Sequence, residues 1–444
     1  MISQKLANWA HGANSIRISN RSWIRRTLFN RRCLSATSTQ CLKMREFEHF
    51  FSNADRTERD EYIDRLSFGE AMYRNGPRGY CAIRPGECLD GRYKALCKIA
   101  HGGFSTVWAA RDQTNGKYVA LKVSVRTHEN LRERDVLRTL AANPSQHPGS
   151  RHLVRLHDSF VIQGRYGLHQ CLVLDLLGER LQSTGGMRLP GKTAKRIAKE
   201  VLLGLDYLHS QGITHGDLHT ANVTFTMPSL DHLSEEDFCI ILGKTETEAN
   251  KYKPKSPTPP KRSICASSVP KIYFPISQAM QVKIVDFGGA FRGPDDAPET
   301  VHVPRYLEPP ESIFGERLDH RFDMWSMGCL LFELVTGHPP FNTWGDVTPT
   351  NYMRDVLHLV PQAMPTRWQP KWRELESAEV PHELGEHTLQ TWLKKLYFGT
   401  LGVRDLSRKD LRKVGELIRR MLRLEPAERA TAAEILDHAW FRDV

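Results

Sequence analysis

The stretch Ile213-Thr-His-Gly-Asp-Leu-His-Thr-Ala-Asn222 decides the reading of this 444-residue chain. Asp217 and Asn222 stand five residues apart on what should be a tight loop. A second carboxylate, Asp286, opens Asp286-Phe-Gly288 directly after the apolar run Val282-Lys-Ile-Val285. The set suits phosphoryl transfer. Asp217 would accept or orient the proton of an attacking hydroxyl. Asn222 and Asp286 would hold the Mg²⁺ ions that neutralise charge on the phosphate. This reaction asks little covalent chemistry of a protein, so positioned carboxylates, an amide and metal suffice. Either motif alone is weak, since a lone Asp-Phe-Gly reads as readily as a turn after a strand.

Order and context strengthen the pattern, and with them the chain resembles the protein-kinase superfamily. Val119-Ala-Leu-Lys122 is an apolar run ending in lysine, similar to the third kinase strand. By itself Lys122 would read as a snorkelling surface lysine; the resemblance implies contact with the α- and β-phosphates of ATP. Glu133, in Leu131-Arg-Glu-Arg-Asp-Val-Leu137, is its implied partner, with Glu129 as the fallback. Ile99-Ala-His-Gly-Gly-Phe-Ser-Thr-Val-Trp108 stands where Gly-x-Gly-x-x-Gly-x-Val is expected. Ala100 and Ser105 replace the outer glycines, which should stiffen the loop. Glycine serves there because backbone N–H groups must approach phosphate without a Cβ in the way. In Leu172-Val-Leu-Asp-Leu-Leu-Gly178, Leu174 reads as gatekeeper and the backbone of Asp175 to Leu177 as the adenine contact. The resemblance thus assigns Ile99, Gly102, Gly103, Val107, Ala120, Lys122, Asp175 and Leu177 to nucleotide binding.

The C-terminal half implies a protein kinase fold. Asp323-Met-Trp-Ser-Met-Gly-Cys-Leu-Leu-Phe-Glu333 resembles the buried central helix of the large lobe, where Asp323 would bond the catalytic-loop backbone. Pro309-Pro310-Glu311 is similar to the Ala-Pro-Glu that closes an activation segment, and Arg429 to the arginine that pairs with its glutamate. The implied fold is α+β and bilobal: a small antiparallel β-sheet lobe with one helix at 92–177, and a larger, mainly helical lobe at 178–444. Residues 46–91 form an N-terminal extension. Asp90-Gly-Arg-Tyr93, Lys98-Ile99 and Phe104-Ser-Thr-Val-Trp-Ala-Ala-Arg-Asp112 resemble the SR-protein-specific kinases more closely. That family carries an insert between catalytic and magnesium loops. Here an insert at about 227–280 has the centre Lys251-Tyr-Lys-Pro-Lys-Ser-Pro-Thr-Pro-Pro-Lys-Arg262, too rich in proline and lysine to build a core.

Some positions depart from the family. Gly216 stands where arginine usually receives an activation-loop phosphate, so switching by that phosphate is not expected. His219 replaces a lysine that contacts the γ-phosphate; neutral imidazole can donate one hydrogen bond but brings little charge at pH 7. The usual threonine before Pro-Glu falls at Val303 or Pro304. His219 joins Asp217, Lys122 and Glu133 as a candidate catalytic residue. Two other readings stand beside the protein kinase. One is a pseudokinase scaffold that binds nucleotide weakly. The other is a small-molecule kinase of the aminoglycoside or choline type, which shares the His-Gly-Asp-x-His-x-x-Asn form.

Charge bounds the partners. Residues 1–45 hold nine of the 62 Lys and Arg and no acid, which leaves 53 basic against 51 acidic residues elsewhere. The kinase body is therefore nearly neutral, and direct nucleic-acid binding by it is not indicated. Expected partners are ATP, Mg²⁺ and protein substrates; Arg/Ser-rich substrates are implied by the resemblance alone. No apolar stretch approaches a membrane span, and a monomer is expected. Nine scattered cysteines without Cys-x-x-Cys give no zinc or disulfide framework. The leader 1–45 reads either as a disordered basic tail or as a mitochondrial transit peptide, with Ile16, Trp23, Ile24 and Leu28 at helical spacing. The resemblance points to cytoplasm and nucleus; the leader makes the mitochondrial matrix the alternative.

Overall fold

The computed structural model describes residues 79–442, except 126–130, 143–145, 165–166, 182–187, 243–279, 302, 342–346, 379–386 and 400–401. The leader, the extension up to residue 78 and the Pro/Lys-rich centre 251–262 lie outside the described residues.

The small lobe is built on one antiparallel sheet. Its strands are β1 (Cys88–Leu89), β2 (Tyr93–His101), β3 (Ser105–Asp112), β4 (Tyr118–Ser124), β5 (Leu156–Gly164) and β6 (Gly167–Asp175), in the order β1-β2-β3-β4-β6-β5. β4 lies between β3 and β6, so both of its edges are paired; its run Tyr118-Val-Ala-Leu is buried throughout, with Val119 and Leu121 in one cluster and Tyr118 and Ala120 in others. Trp108, Leu121, Val123, Cys171 and Val173 fill one face. Helix α1 (Arg132–Ala142) joins the main core through Val136 and Leu137. Residues assigned above to the N-terminal extension also take part: Cys81, Ile83 and Leu89 pack into the small-lobe core.

The large lobe is mainly helical. Helix α2 (Gly191–Ser210) buries Ala194, Ile197, Ala198, Val201, Leu202, Leu205 and Leu208, a spacing that keeps one stripe toward the core. The chain turns at Gly212 (φ +67) into β7 (Ile213–Thr214) and then β8 (Val223–Phe225). Next come helix α3 (Glu235–Leu242), β9 (Val282–Ile284), which pairs with β8, and β10 (Phe291–Arg292), which pairs with β7. Helices α4 (Pro310–Phe314), α5 (Arg321–Thr336), α6 (Pro349–Leu359), α7 (Gln369–Ala378), α8 (Leu389–Gly399), α9 (Arg408–Met421) and α10 (Ala432–Leu436) complete the lobe. α5 is buried on nearly every side, as an all-round apolar helix must be.

The first part of the insert is ordered against the small lobe. Acidic residues Glu235, Glu236 and Asp237 occupy the first turn of α3, where the helix dipole favours them. The ring of Phe238 stacks on Tyr118 with centroids 3.6 Å apart. Glu235 pairs with Lys94 at 2.8 Å, and Asp231 accepts the Tyr118 backbone N–H at 2.8 Å. Chain that leaves the large lobe at β8 thus straps the outer side of the small-lobe sheet.

Candidate active site

Local chain geometry places the groups first. The run 282–285 pairs as β9 with β8 and delivers Asp286 at its end. Asp286 itself lies in the left-handed region at φ +67 and caps the tight turn Phe287–Gly289, accepting Gly288 N–H at 3.4 Å. Phe287 is fully buried against His215, ring centroids 5.1 Å apart. That packing holds Asp286 facing the cleft with its side chain about half exposed.

Lys122 on β4 gathers the acidic groups. Its Nζ lies 2.7 and 2.8 Å from the Glu133 carboxylate and 2.8 Å from Asp286 Oδ1. Glu133 sits on α1 and also accepts the Phe287 backbone N–H at 3.2 Å, so helix, strand and magnesium loop are tied through one carboxylate. Burial would lower the Lys122 ammonium, but the charges of Glu133 and Asp286 outweigh it and hold it above its usual range. Burial likewise pushes Asp286 up, yet Lys122 wins and keeps its carboxyl down at about 2. Glu129, the fallback partner, lies outside the described residues.

The catalytic-loop stretch hangs from α5. Asp323, wholly buried, accepts the backbone N–H groups of His215 at 2.8 Å and Gly216 at 2.9 Å, and contacts His209 Nε2 at 2.9 Å. Burial pushes Asp323 up, and these bonds more than offset it. Asn222 donates from its amide nitrogen to the Asp217 carbonyl at 2.8 Å and to Asp217 Oδ2 at 3.0 Å. Asp217 Oδ1 is buried and has no hydrogen-bond partner. His219 Nδ1 accepts the Ala221 N–H at 3.2 Å, which leaves the proton on Nε2, 3.5 Å from that same Oδ1. Imidazole is therefore aimed at Asp217.

The adenine side follows the strand pairing. Ala120 on β4 faces Leu174 on β6 in register, and both are buried at the back of the cleft. Val107 pairs opposite Lys122. Ile99 falls in a register shift of β2 between Lys98 and Ala100 and packs half-buried beside Leu176 and Met227 at the insert. Asp175 ends β6; its N–H donates to Arg155 O at 3.3 Å, and its carboxylate holds Lys283 at 2.8 Å and His157 at 2.8 Å. Leu177 lies two residues further on, in irregular backbone. Gly102 and Gly103 form the exposed β2–β3 turn, closed by Gly102 N–H to Ser105 O at 2.8 Å. Tyr80, in the stretch Arg78-Gly-Tyr80 that also resembles the SR-protein-specific kinases, donates its hydroxyl to the Gly102 carbonyl at 2.6 Å. Glu311 and Arg429 meet at 2.6 Å.

The donor set fits a nucleotide with Mg²⁺. Asp286 is ionised at neutral pH, and the Asn222 amide oxygen is not used by the bonds that hold its nitrogen. No group of three His, Cys, Asp or Glu among the described residues could hold a metal ion unaided. Mg²⁺ does not need such a cage, because it is usually bound by one or two protein groups with water and substrate phosphates.

Comparison with known proteins agrees with this geometry. Residues 93–240 and 274–441 match the protein kinase domain family. The chain belongs to that family. Serine/threonine-protein kinase SRPK of Physarum polycephalum is 30% identical over 86% of this chain and 93% of its own length. SRSF protein kinase 3 of Homo sapiens is 30% identical over 43% of this chain and 33% of its own. These relatives bear out the resemblance to SR-protein-specific kinases. A solved kinase domain superposes with a TM-score of 0.57 at 20% identity, covering 82% of this chain and 99% of that one, and bears out the bilobal fold.

Proposed function

We propose that this chain is an ATP- and Mg²⁺-dependent kinase that phosphorylates serine and threonine in proteins, Arg/Ser-rich sequences among them. One observation carries the reading: Asp217 Oδ1 is buried without a hydrogen bond, next to the turn at Gly289 that follows Asp286 of the Lys122–Glu133–Asp286 cluster. A buried carboxylate oxygen without a partner is costly unless it serves the reaction. Asp217 would accept the proton of the incoming hydroxyl, with Asn222 and His219 fixing its orientation. Lys122 would grip the α- and β-phosphates, and Asn222 and Asp286 would hold Mg²⁺, which supplies neutralisation of phosphate charge when bound. Transfer would be direct, without a phospho-enzyme. Family membership supports a protein substrate, and the names of the relatives support the Arg/Ser-rich class.

A radiolabelled-ATP assay with a basic protein, an Arg-Ser peptide and its Arg-Ala counterpart tests the proposal. Labelling of the first two and not the third is expected. Nucleotide binding without transfer would favour a scaffold instead. We place the protein in cytoplasm and nucleus, as its relatives' family implies. A fusion of residues 1–45 to a fluorescent protein tests that placement, since mitochondrial import with a new N-terminus would reverse it. No helix among the described residues is long and apolar enough to cross a membrane.

A further inference from the structure

We propose that a basic cleft on the large lobe, lined by none of the catalytic, nucleotide-binding or metal-holding candidates, binds a phosphate monoester carried on a peptide. The cleft has a volume of about 620 Å³ and lies between the start of α5, the end of α9 and the turn into α10. Arg321, Arg419, Arg420, Arg423 and Arg429 all line it.

The pairing of these arginines shows which are committed. Arg429 is closed off by Glu311 at 2.6 Å. Arg423 Nε donates to Glu428 at 3.0 Å, and Arg321 pairs with Asp319. Arg419 and Arg420 make no side-chain hydrogen bond or ion pair among the described residues. Of the other carboxylates that line the cleft, neither pairs with Arg419 or Arg420. Glu434 accepts the Thr431 N–H at 2.8 Å as a helix cap. Glu416 stands one helical turn before Arg420, at a spacing that commonly forms ion pairs, but its carboxylate lies 3.7 Å from His438 Nε2. Two guanidinium groups therefore remain uncompensated in one concavity. They are not the overflow of a basic surface, because the chain beyond residue 45 carries 53 basic and 51 acidic residues.

The chemistry of the occupant follows. Guanidinium is a planar fork whose paired N–H groups match the oxygens of a phosphate dianion. The cleft has room for a phosphate together with the residue that bears it. A single short, open concavity between helices is not the extended basic stripe along which a nucleic-acid backbone runs. The site would hold a phosphorylated segment apart from the catalytic groups, which goes beyond the catalytic reading and does not depend on it.

Fluorescence anisotropy of a labelled phosphoserine peptide with the full chain tests the proposal. Saturable binding is expected, weakened about tenfold by Arg419→Ala or Arg420→Ala and about a hundredfold by both, as for charge-assisted hydrogen bonds lost singly and together. Binding should persist in Asp286→Asn, so loss of catalysis and loss of this site are read separately. Millimolar inorganic phosphate that displaces the peptide fully would keep the chemistry and assign the site to the free ion. Equal binding of the unphosphorylated peptide, or binding that the double variant leaves intact, would overturn the proposal. Circular dichroism of the double variant, expected to match the unaltered chain because Arg419 is exposed and Arg420 half-buried, guards against a folding artefact.

Discussion

Gly216 and Gly289 touch backbone to backbone, and a Cβ built on Gly216 would lie 2.3 Å from the Gly289 carbonyl oxygen. Gly216 is also left-handed at φ +73. The absent arginine is therefore more than a lost phosphate receptor: this loop conformation excludes any side chain. Gly216→Ala should cost at least about 1–2 kcal/mol from the left-handed backbone alone, with more from the overlap. The expected result is a lower melting temperature and a loss of kinase activity in the same variant. A variant with unaltered melting and activity would show that the loop relaxes freely.

Asp286→Asn should remove phosphotransfer and lower the melting temperature modestly, because the Lys122 ion pair is lost while the Gly288 cap survives in an amide and the fold stays intact. Wild-type labelling by this variant would break the site assignment. The pH profile follows from the same carboxylate. Its folded value, about 2, lies below the ordinary value near 4. Its contribution to stability is thus fully present above about pH 4 and lost as pH falls toward 2. A pH–rate profile should show no inflection from Asp286 above pH 4; an inflection at pH 5–6 that disappears in Asp286→Asn would contradict the depressed carboxyl.

The catalytic groups were legible because each is carried by a local pattern. The run Val282 to Val285 had to be a buried strand, and it delivers Asp286; Val119-Ala-Leu-Lys122 did the same for Lys122. The Glu133 partner was legible through the resemblance to protein kinases, with Glu129 one turn earlier as the alternative. Other features depend on contacts that no local pattern encodes. Ile99 sits in a β-bulge, which arises from the pairing of β2 with β3. Helix α3 is held by Tyr118, more than a hundred residues away, a contact that the composition of the insert does not encode. Tyr80 reaches Gly102 only through the tertiary fold, so its bond to the glycine-rich turn has no local signal.

His219→Lys should raise the catalytic rate. Lysine would bring full positive charge toward the γ-phosphate, and a gain of about 1 kcal/mol is roughly fivefold. The cost is the Ala221 N–H bond that imidazole now accepts. Steady-state kcat decides the matter. A fall would mean that imidazole, held beside Asp217, orients the base in a way that lysine cannot replace.

Phosphatase treatment should leave specific activity unchanged. Val301 and Val303 pack the activation segment against Phe291, Leu318 and Phe322, so apolar contacts hold it where a phosphate would otherwise be clamped. Val303→Asp should lower activity by exposing that contact to an unpaired charge. Collapse of activity on dephosphorylation, with recovery on phosphorylation of Thr300, would refute constitutive activity.

The strap from the insert should carry stability of its own. Phe238 is fully buried and stacked on Tyr118, and it shares an apolar cluster with Leu96, Cys97, Ala109 and Leu242. Phe238→Ala removes the ring and leaves a cavity, a change that costs about 3 kcal/mol or more in a core. Lys94–Glu235 is partly exposed, so Glu235→Ala should cost under about 1 kcal/mol. Denaturant melts of the two variants should therefore differ clearly, with Phe238→Ala the weaker protein. Equal midpoints would mean that α3 rests on the small lobe without supporting it, and that the sheet is stable without this cover.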